Sequence, residues 1–528
     1  MGLGGFFMHS RVGLSTPYLS QEWFEAVQVC VEEARSVGME AWLYDEDRWP
    51  SGAAGGLVTR NPKYRMRYLA VELYKDPKAF RWTKPTLAAF VLLLTAPDRA
   101  ANVRPLPRHR RPRSLAANER IVCFRLELEN PSSWFNGQTY LDTLNPEAVR
   151  AFIRVTHEEY ARRFRSDFGG VIPGIFTDEP HRGALLPKGR ETDYGERGRL
   201  PWTERLPAVF RRRYGYDLVP HLPELVFDLE GQTECAARWH YHDCVTHLFV
   251  DAFARQIGAW CERHGLQFTG HVLMEETLLS QTKVVGSCLR FYEHMQAPGM
   301  DLLTERRREF ITAKQVSSVA RQFGRRWRLT ETYGCTGWDF PFLGHKALGD
   351  WQAALGINLR CQHLYWYTML GEAKRDYPAA IGHQSPWWDA YTTVEDYFAR
   401  LNAVMTRGKE IRDVLVIHPI ESIWARVRLG WESDPELKTL DEDLRTVTDQ
   451  LLAAHLDYDF GDEELLARHA RIGFAQGKPV LRVNRARYTA VVVPPQITMR
   501  RTTLDRLRAF QEKGGTVVFV GRTARYVD

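Results

Sequence analysis

Two glutamates that follow apolar, β-rich runs are the strongest candidates for chemistry in this chain of 528 residues. Glu179 lies in IFTDEP, before a proline, and Glu331 lies in RLTETYG. A carboxylic acid that donates a proton, paired with a carboxylate that activates water or attacks directly, is the arrangement that cleaves a glycosidic bond. A carboxyl at a strand end has rigid placement and a tunable pKa. We therefore predict Glu179 and Glu331 as a catalytic pair. The structural alternative for each is a helix cap or a salt bridge.

Further polar and aromatic residues follow runs of the same kind and could bind a substrate. Imidazole, guanidinium and carboxylate groups hydrogen-bond to hydroxyl groups, and aromatic rings stack on flat apolar faces such as those of sugars. The predicted substrate-binding residues are His9, Arg11, Asp45, Glu46, Asp178, His271, Glu275, Tyr333, Trp338, His363 and Trp387. Glu275, or its neighbour Glu276, also remains an alternative to Glu331 as the catalytic base.

A dense acidic segment, YDEDRWPSG, follows the second apolar run. Ca²⁺ takes several oxygen ligands, which carboxylates supply. We therefore predict Asp45, Asp47 and Glu276 as ligands of a metal ion, with Ca²⁺ as the candidate cofactor. The structural alternative is that the acidic residues form hydrogen bonds within the loop that leads to Pro50, Ser51 and Gly52.

Most of the candidate residues share one position, because they lie at or just after the end of a predicted strand. Trp338 and Trp387 lie in or near the loops that follow the last two predicted strands. Amphipathic helices are predicted between these strands, for example over 22–37, 145–164 and 236–264. The predicted strands are 4–10, 40–47, 170–180, 266–275, 299–305, 328–334 and 357–367. Polar residues at the carboxyl ends of parallel strands are typical of the active-site face of a TIM barrel. The predicted fold class is α/β, with a (β/α)8-type barrel. Because only seven strands are visible and the chain opens in one, we expect the first strand to lie upstream.

The alternation of strands and helices also divides the chain. We predict a barrel domain over 1–411, with a β-rich insertion at about 57–140. Strand, helix, strand, helix, strand over 412–528 indicates a small doubly wound, Rossmann-like α/β domain, which could continue past the last residue. No glycine-rich turn follows DVLVIHP, which argues against a nucleotide-dependent enzyme. The second domain is therefore expected to be structural or oligomerising.

Composition excludes several other classes of protein. Hydrophobic residues at 44% and charged residues at 26% are typical of a globular chain, and the net charge is only +6. The basic segment 104–113 has no interleaved aromatic residues, so we interpret it as a solvated loop and expect no nucleic-acid partner. No apolar run reaches the ~20 residues of a membrane span, so no membrane partner is expected. No signal peptide is visible, so the chain as given is expected in the cytoplasm, although an upstream truncation leaves secretion open.

Five segments taken together resemble the α-L-rhamnosidases of glycoside hydrolase family 106. They are GGFFMHSRVGL, AWLYDEDRWPSGAAGG, GIFTDEP, GHVLMEE and TETYGCTGWDF, and the resemblance covers about residues 4–370. It implies an inverting mechanism with a Glu acid, a Glu base and a calcium ion that touches the sugar hydroxyls. By matching motifs, Glu179 would be the acid and Glu331 the base. Family members are usually longer and carry β-sandwich domains, which this chain does not show.

Two other hypotheses remain beside an exo-acting, α-L-rhamnosidase-like glycosidase that takes an oligosaccharide or glycoside. A barrel followed by a small doubly wound domain also resembles the family 42 β-galactosidases, which retain configuration with the acid/base on strand four and the nucleophile on strand seven. The two carboxyl groups are ~5 Å apart in retaining enzymes and roughly 6.5–9.5 Å apart in inverting enzymes, a distance that sequence does not give. The last hypothesis is a carbohydrate-binding barrel without catalysis.

Overall fold

Seven parallel strands form the body of the protein. The computed structural model describes residues 1–185, 195–304, 309–370, 377 and 381–528. The strands are β1 (Gly5–Met8), β2 (Glu40–Tyr44), β3 (Gly174–Asp178), β4 (Gln267–His271), β5 (Ala297–Asp301), β6 (Leu329–Thr332) and β7 (Leu359–Gln362). Their order in the sheet is their order in the chain. This nearly closed barrel confirms the predicted fold class. Glu305, at the end of the predicted strand 299–305, lies outside the described residues.

The helix between β1 and β2 shows why the local sequence folds as it does. Over Gln21–Val37 it turns one apolar face to the barrel, with Trp23, Phe24, Val27, Val31 and Ala34 buried. The Ser20 hydroxyl accepts the N–H of Trp23 at its start, at 3.2 Å. At its end Gly38 adopts φ +71° and donates its N–H to Ala34 O. The cap residues therefore define a helix within one residue of the predicted 22–37.

The other helices of the barrel region lie outside the strands. Two predicted helices are interrupted: one is divided at Thr156, and the other contains a π-helical turn at Val250–Ala254. No helix in the described ranges has the length and apolar character needed to cross a bilayer. The helices after the first are Pro146–Val155, His157–Phe164, Leu206–Tyr214, Ala236–Phe249, Arg255–Arg263, Leu278–Val284, Cys288–Tyr292, Ile311–Phe323, Phe342–Ala354 and Thr392–Met405.

The barrel interior is an apolar layer beneath a polar mouth. Tyr44, Phe176 and Leu329 pack there with neighbours from β1 and β7. Register places Asp178 beside His271 on β3 and β4, and Asp301 beside Glu331 on β5 and β6. Gly270, one residue before His271, has φ +112°, and a Cβ there would lie 1.8 Å from Thr177 O. Only glycine permits this approach of the two strands.

A mainly antiparallel sheet, with one parallel pair at its edge, is inserted after β2, where the β-like runs of this region predict an antiparallel insertion. It consists, in spatial order, of Gly195–Trp202, Arg67–Tyr74, Glu119–Leu128, Thr86–Ala96, Arg99–Pro105 and Asp228–Leu229. The first and last of these strands come from beyond the predicted insertion, after β3. The inserted sheet is therefore attached to the barrel by more than one segment of the chain.

A second parallel sheet follows the barrel. Its strands are β8 (Val414–His418), β9 (Tyr458–Asp462), β10 (Ala490–Val493) and β11 (Thr516–Phe519), in the order β9-β8-β10-β11. The accompanying helices are Ile420–Trp424, Pro435–Ala453, Glu463–His469 and Arg501–Glu512. Small antiparallel strands at Ala470–Ala475, Lys478–Val483 and Ala486–Tyr488, and a pair at Thr498–Met499 and Tyr526–Val527, were not anticipated. The sheet is doubly wound; the predicted domain bounds, 1–411 and 412–528, stay predictions.

A buried ionic network joins the barrel to this second sheet. The Arg290 guanidinium donates to Asp243 Oδ1 at 2.7 Å, to both carboxylate oxygens of Asp462 at 3.0 Å and to Glu421. Arg500 donates to Glu421 at 2.8 Å and to Asp243 at 2.6 Å. Arg290 is only 3% exposed. Asp243 belongs to a barrel helix, Asp462 ends β9 and Glu421 lies in a helix beside the second sheet, so one guanidinium neutralises carboxylates on both sides.

Replacing Arg290 by methionine is expected to destabilise the protein by about 3–5 kcal/mol, because three buried carboxylates lose their shared cation. The measurement is urea-induced unfolding followed by circular dichroism. The matched control is Arg211→Met, which removes a solvent-exposed ion pair with Asp217 and should cost under about 1 kcal/mol. Equal losses in the two variants would contradict the importance of the network.

Candidate active site

A cavity of about 290 Å³ opens at the carboxyl ends of strands β3–β6. Its walls come from the segments that immediately follow these strands. The lining residues are Glu179, Val272, Leu273, Met274, Glu275, Glu276, Asp301, Leu302, Leu303, Thr304 and Cys335. Four carboxyl groups therefore meet in one cavity, three of them from residues that the sequence had singled out. The fourth, Asp301, was not among the candidates.

Glu179 reaches this cavity because the backbone turns at the end of β3. Side chains alternate along a strand, so Ile175 packs in the outer core and Phe176 and Asp178 face the barrel interior. Glu179 departs from extended geometry with φ +48°, and its N–H donates to His271 O at 3.1 Å. Burial, with the neighbouring Asp178 charge, raises the pKa of the Glu179 carboxyl to about 8. The side chain is therefore protonated at neutral pH.

Asp178, His271 and Glu331 form a charged centre beside the cavity. His271 Nε2 lies 2.7 Å from Glu331 Oε2 and 3.8 Å from Asp178 Oδ1. Burial lowers the pKa of His271, but the hydrogen bond to Glu331 and the charge of Glu331 raise the pKa of His271 well above the usual value. Burial likewise opposes the charge of Glu331, yet the hydrogen bond from His271 holds its pKa below the usual value. The centre therefore contains an imidazolium between two carboxylates.

Tyr44 and His9 fix the position of Asp178. The Tyr44 hydroxyl donates to Asp178 Oδ2 at 2.6 Å, and His9 Nε2 lies 3.6 Å from the same oxygen. The rings of His9 and Tyr44 stack with centroids 3.4 Å apart. Burial raises the pKa of Asp178. The contacts with His9 and His271 and the hydrogen bond from Tyr44 outweigh this effect and hold the pKa of Asp178 well below its usual value. Asp178 is thus an ionised carboxylate in a fixed position below the open end of the barrel.

Arg11 and His363 bridge the gap between β1 and β7. Arg11 Nη2 lies 3.1 Å from His363 Nε2, and Arg11 Nη1 lies 3.1 Å from His9 Nε2. The guanidinium also lies over the Trp49 ring, 4.6 Å from its centroid. His363 Nε2 approaches Glu331 Oε1 at 3.5 Å. The structure thereby brings three predicted substrate-binding residues, His9, Arg11 and His363, around the charged centre, which itself contains His271.

Glu275 and Asp301 form the far wall of the cavity. The Glu275 carboxylate accepts the Tyr292 hydroxyl and, at 3.0 Å, the Asp301 N–H. Burial raises the pKa of Glu275 to about 7. Asp301 Oδ1 is buried and accepts no hydrogen bond from the described residues. Burial, then the Glu331 charge, raises the pKa of Asp301 well above its usual value. Asp301 is the acidic residue nearest the end of β5, a signal available in GMDLLTE.

The acidic segment after β2 is bonded mainly to its own loop. The Ser51 hydroxyl donates to Asp45 Oδ1 at 2.5 Å. Glu46 accepts the N–H groups of Gly52 and Ala54 at 2.8 Å, and further N–H groups of Asp47 and Gly55. Asp47 Oδ2 accepts from Arg48 Nε at 3.3 Å and Asn136 Nδ2 at 3.1 Å. These contacts shape the loop at the mouth, which is the alternative that the sequence left open.

The predicted metal ligands Asp45, Asp47 and Glu276 do not come together. In the ranges that the structure describes, the one group of three ligand atoms lying within 4.8 Å of each other comes from Asp178, His271 and Glu331. Metal binding by His271 would require a neutral imidazole, whereas its carboxylate neighbours favour the cation. The geometry of this group is therefore that of an ion-pair network.

The predicted aromatic binding residues differ in their surroundings. Trp338 is 37% exposed and contacts Trp366, with ring centroids 5.1 Å apart. Tyr333 is buried; its hydroxyl donates to His345 O and accepts from Arg360. Trp387 packs with a separate apolar cluster that contains Ile381, Tyr391, Val394 and Phe398. Of the three rings, Trp338 is the one available to a ligand at the rim.

Known proteins with similar folds are glycosidases. A rhamnosidase from Novosphingobium sp. PP1Y superposes with a TM-score of 0.67 and 14% identity. The superposition covers 99% of this chain and 66% of the rhamnosidase. A β-galactosidase from Bacillus circulans sp. alkalophilus superposes over the whole chain and 68% of its own length, with a TM-score of 0.59 and 11% identity. At these identities the likeness establishes the fold, a barrel of the TIM type.

Comparison of the sequence with known proteins bears on the family as well as on the fold. A curated protein of Formosa agariphila, provisionally named a beta-glucuronidase, is 20% identical over 95% of this chain, which spans 44% of that protein. The model of glycoside hydrolase family 106, described as alpha-L-rhamnosidase, matches residues 137–524. This match includes β3–β7, both predicted catalytic glutamates and all four strands of the second sheet. Because it covers well over half of the chain, the protein belongs to glycoside hydrolase family 106.

Proposed function

We propose that this protein is an exo-acting, α-L-rhamnosidase-like glycoside hydrolase that inverts configuration, with Glu179 as acid and Glu331 as base. The observation that carries the proposal is the opposite protonation of the two carboxyl groups at one barrel mouth. The pKa of Glu179 is raised to about 8, and that of Glu331 is lowered. Groups whose environments separate their pKa values in this way can act as acid and base in one reaction.

Glu179 has the properties that protonation of a leaving group requires. Its carboxyl lines the cavity and holds a proton at neutral pH. Transfer of that proton to the glycosidic oxygen lets the bond to the anomeric carbon break without expulsion of an alkoxide. The Glu179 carboxylate that remains takes up a proton from solvent, which restores the acid. The turn at φ +48° fixes the direction of the side chain relative to β3.

Glu331 has the properties of the base. The imidazolium of His271 keeps it ionised, and its other oxygen faces His363 at 3.5 Å. A water molecule that gives its proton to Glu331 becomes the nucleophile at the anomeric carbon, on the face opposite the leaving group. Glu275, the alternative base, has both carboxylate oxygens engaged, by Tyr292 and by the Asp301 N–H. Among the described residues, Glu331 Oε1 has only the longer, 3.5 Å contact with His363, and this difference supports Glu331.

The substrate assignment follows from the family. Its description names alpha-L-rhamnosidase, and a rhamnosidase superposes over 99% of this chain. Superposition on β-galactosidases favours one competing function, a retaining hydrolase with Glu331 as nucleophile. The two mechanisms leave sugars of different anomeric configuration. The configuration of the first product therefore separates them.

The test is hydrolysis of aryl α-L-rhamnoside, β-D-galactoside and β-D-glucuronide, with the anomer released followed by proton NMR. We expect release from the rhamnoside, with the inverted anomer formed first and slower release by Glu179→Gln at the same enzyme concentration. Release of the retained anomer would assign the nucleophilic role to Glu331 and overturn the inverting mechanism. A folded protein inactive on every sugar, with sugars bound, would support the binding function instead.

Calcium is a further part of the proposal, and the cavity offers better donors than the acidic loop. Asp47 is engaged by Arg48 and Asn136, whereas Asp301 Oδ1 is buried without a hydrogen bond among the described residues, and Glu276 lines the same cavity. Oxygen donors of this kind suit a hard cation. We propose that Asp301 and Glu276 would hold the ion, which would supply coordination to hydroxyl groups of the sugar.

Calcium is expected to raise the midpoint of thermal unfolding of the wild-type chain, by an amount that grows with its concentration, because an ion that binds only the folded state stabilises it. Asp301→Asn should abolish this rise, and Asp47→Asn should retain it. The readout is differential scanning fluorimetry after treatment with EDTA, with magnesium as the comparison ion. Loss of the rise in Asp47→Asn alone would return the site to the acidic loop.

A further inference from the structure

Two segments of the inserted sheet carry an unusual concentration of positive charge. Segments 75–84 (KDPKAFRWTK) and 104–113 (RPLPRHRRPR) contain nine Lys and Arg residues and one carboxylate, that of Asp76. The net charge of the whole chain is +6, so the rest of the molecule is slightly acidic. The basic patch consists of Lys75, Lys78, Arg81, Lys84, Arg104, Arg108, Arg110, Arg111 and Arg113.

The two segments contact each other and form one surface. The indole Nε1 of Trp82 donates to the backbone oxygen of Arg110 at 2.7 Å. Trp82 and Leu106 both pack against a small core around Phe80. The Leu106 N–H donates to Ala89 O at 2.8 Å, which fixes the start of the second segment on the sheet. The positive charges are therefore presented by an anchored pair of loops.

Most of the cationic side chains point to solvent, and several of the arginines have no ion-pair partner among the described residues. All nine residues of the basic patch are exposed. Arg104 pairs with Glu119 at 2.9 Å. By contrast, Arg108, Arg110, Arg111 and Arg113 form no ion pair with any residue in the described parts of the chain. A surface of one sign attracts oppositely charged chains and concentrates them near the protein.

We infer that the basic patch binds an acidic polysaccharide, a glycan chain that carries carboxylate or sulfate groups. The patch goes beyond the proposed catalytic function, since no residue of it lines the cavity. The preference for a glycan rests on the proposed function, because an enzyme that trims glycans gains from holding the polymer. Nucleic acid fits less well, because the arginines alternate with no exposed aromatic ring and Trp82 is half-buried.

The test compares binding of the full chain to heparin, polygalacturonate, dextran, duplex DNA and phosphatidylserine vesicles. The variant is Arg108→Gln combined with Arg110→Gln, Arg111→Gln and Arg113→Gln. We expect the wild type to bind heparin and polygalacturonate but not dextran at low salt. The variant should bind both at least tenfold more weakly, with a shallower dependence on salt concentration, because fewer charges take part.

The matched control changes four exposed arginines elsewhere, Arg150→Gln, Arg154→Gln, Arg487→Gln and Arg508→Gln, with the same change in net charge. It should bind as the wild type does. Equal weakening in both variants would overturn the proposal in favour of net charge alone. So would tighter binding to DNA or vesicles than to the polysaccharides, or no binding by the wild type. Hydrolysis of an aryl glycoside is measured in parallel, so a failed patch and a failed active site are distinguishable.

Discussion

Glu179→Gln is expected to lower kcat roughly a thousandfold on a glycoside with a poor, alkyl leaving group, because the amide has no proton to donate. On a glycoside with a strongly acidic phenol as leaving group the loss should be roughly tenfold, since that oxygen leaves without protonation. The measurement is kcat for the two substrates with wild type and variant. The side chains are equal in size, so the fold should be unaffected.

The pH dependence gives a second readout of the same residue. The pKa of Glu179 is raised to about 8, so the acid is present below this pH and is lost as pH rises through it. Wild-type activity should therefore fall on the alkaline side near pH 8, and the residual activity of Glu179→Gln should lack that decline. An unchanged alkaline limb in the variant, or equal losses on the two leaving groups, would remove Glu179 from the acid role.

Glu331→Gln is expected to lower kcat by roughly a thousandfold to ten-thousandfold on both leaving groups, because water activation does not depend on the leaving oxygen. The result is measured with the same substrate pair. Glu275→Gln is the matched control, since Glu275 is the alternative base and is also buried. A loss independent of the leaving group in Glu275→Gln, with little loss in Glu331→Gln, would transfer the role to Glu275.

His271→Gln tests how Glu331 is held ionised. His271 is a positioning residue: its hydrogen bond and charge lower the pKa of Glu331. A neutral glutamine keeps a donor but loses the charge, so the pKa of Glu331 should rise. The base is then protonated over a wider acidic range, and the acid limb of kcat/KM should move to higher pH. A purely structural role would lower activity at all pH values without this movement.

Local sequence patterns were sufficient to predict the strands and most helices of the barrel. Apolar runs separated by amphipathic helices predicted seven parallel strands, all of which are present, because side-chain periodicity follows from backbone geometry alone. The polar residues that end these runs were also found from sequence. Two long helices were predicted as continuous, yet Thr156 and the π-helical turn at Val250–Ala254 interrupt them. At Thr156 the side-chain hydroxyl donates to Phe152 O at 2.9 Å, a local bond that side-chain periodicity does not report.

The candidate site was only partly predictable. Strand ends predicted Glu179, His271 and Glu331, whereas Asp301 lies four residues before the end of its predicted run, because the strand ends there earlier than the run does. Strand alternation separated Asp178 from Glu179, but the turn at Glu179 was not visible in the sequence. Glu46 could not be distinguished from Asp45 or Asp47, because its bonds to loop N–H groups depend on the path of the whole loop.

The sequence by itself determined that strands of this protein would end in carboxylates and imidazoles at one face of a barrel. Only the tertiary structure decided which of these groups would be charged. His271 and Glu331 are 60 residues apart in the chain and 2.7 Å apart in space, and each determines the protonation of the other. Burial and neighbouring charge shift pKa values, and both depend on contacts between distant segments. The chemistry of the mouth is therefore a property of the fold.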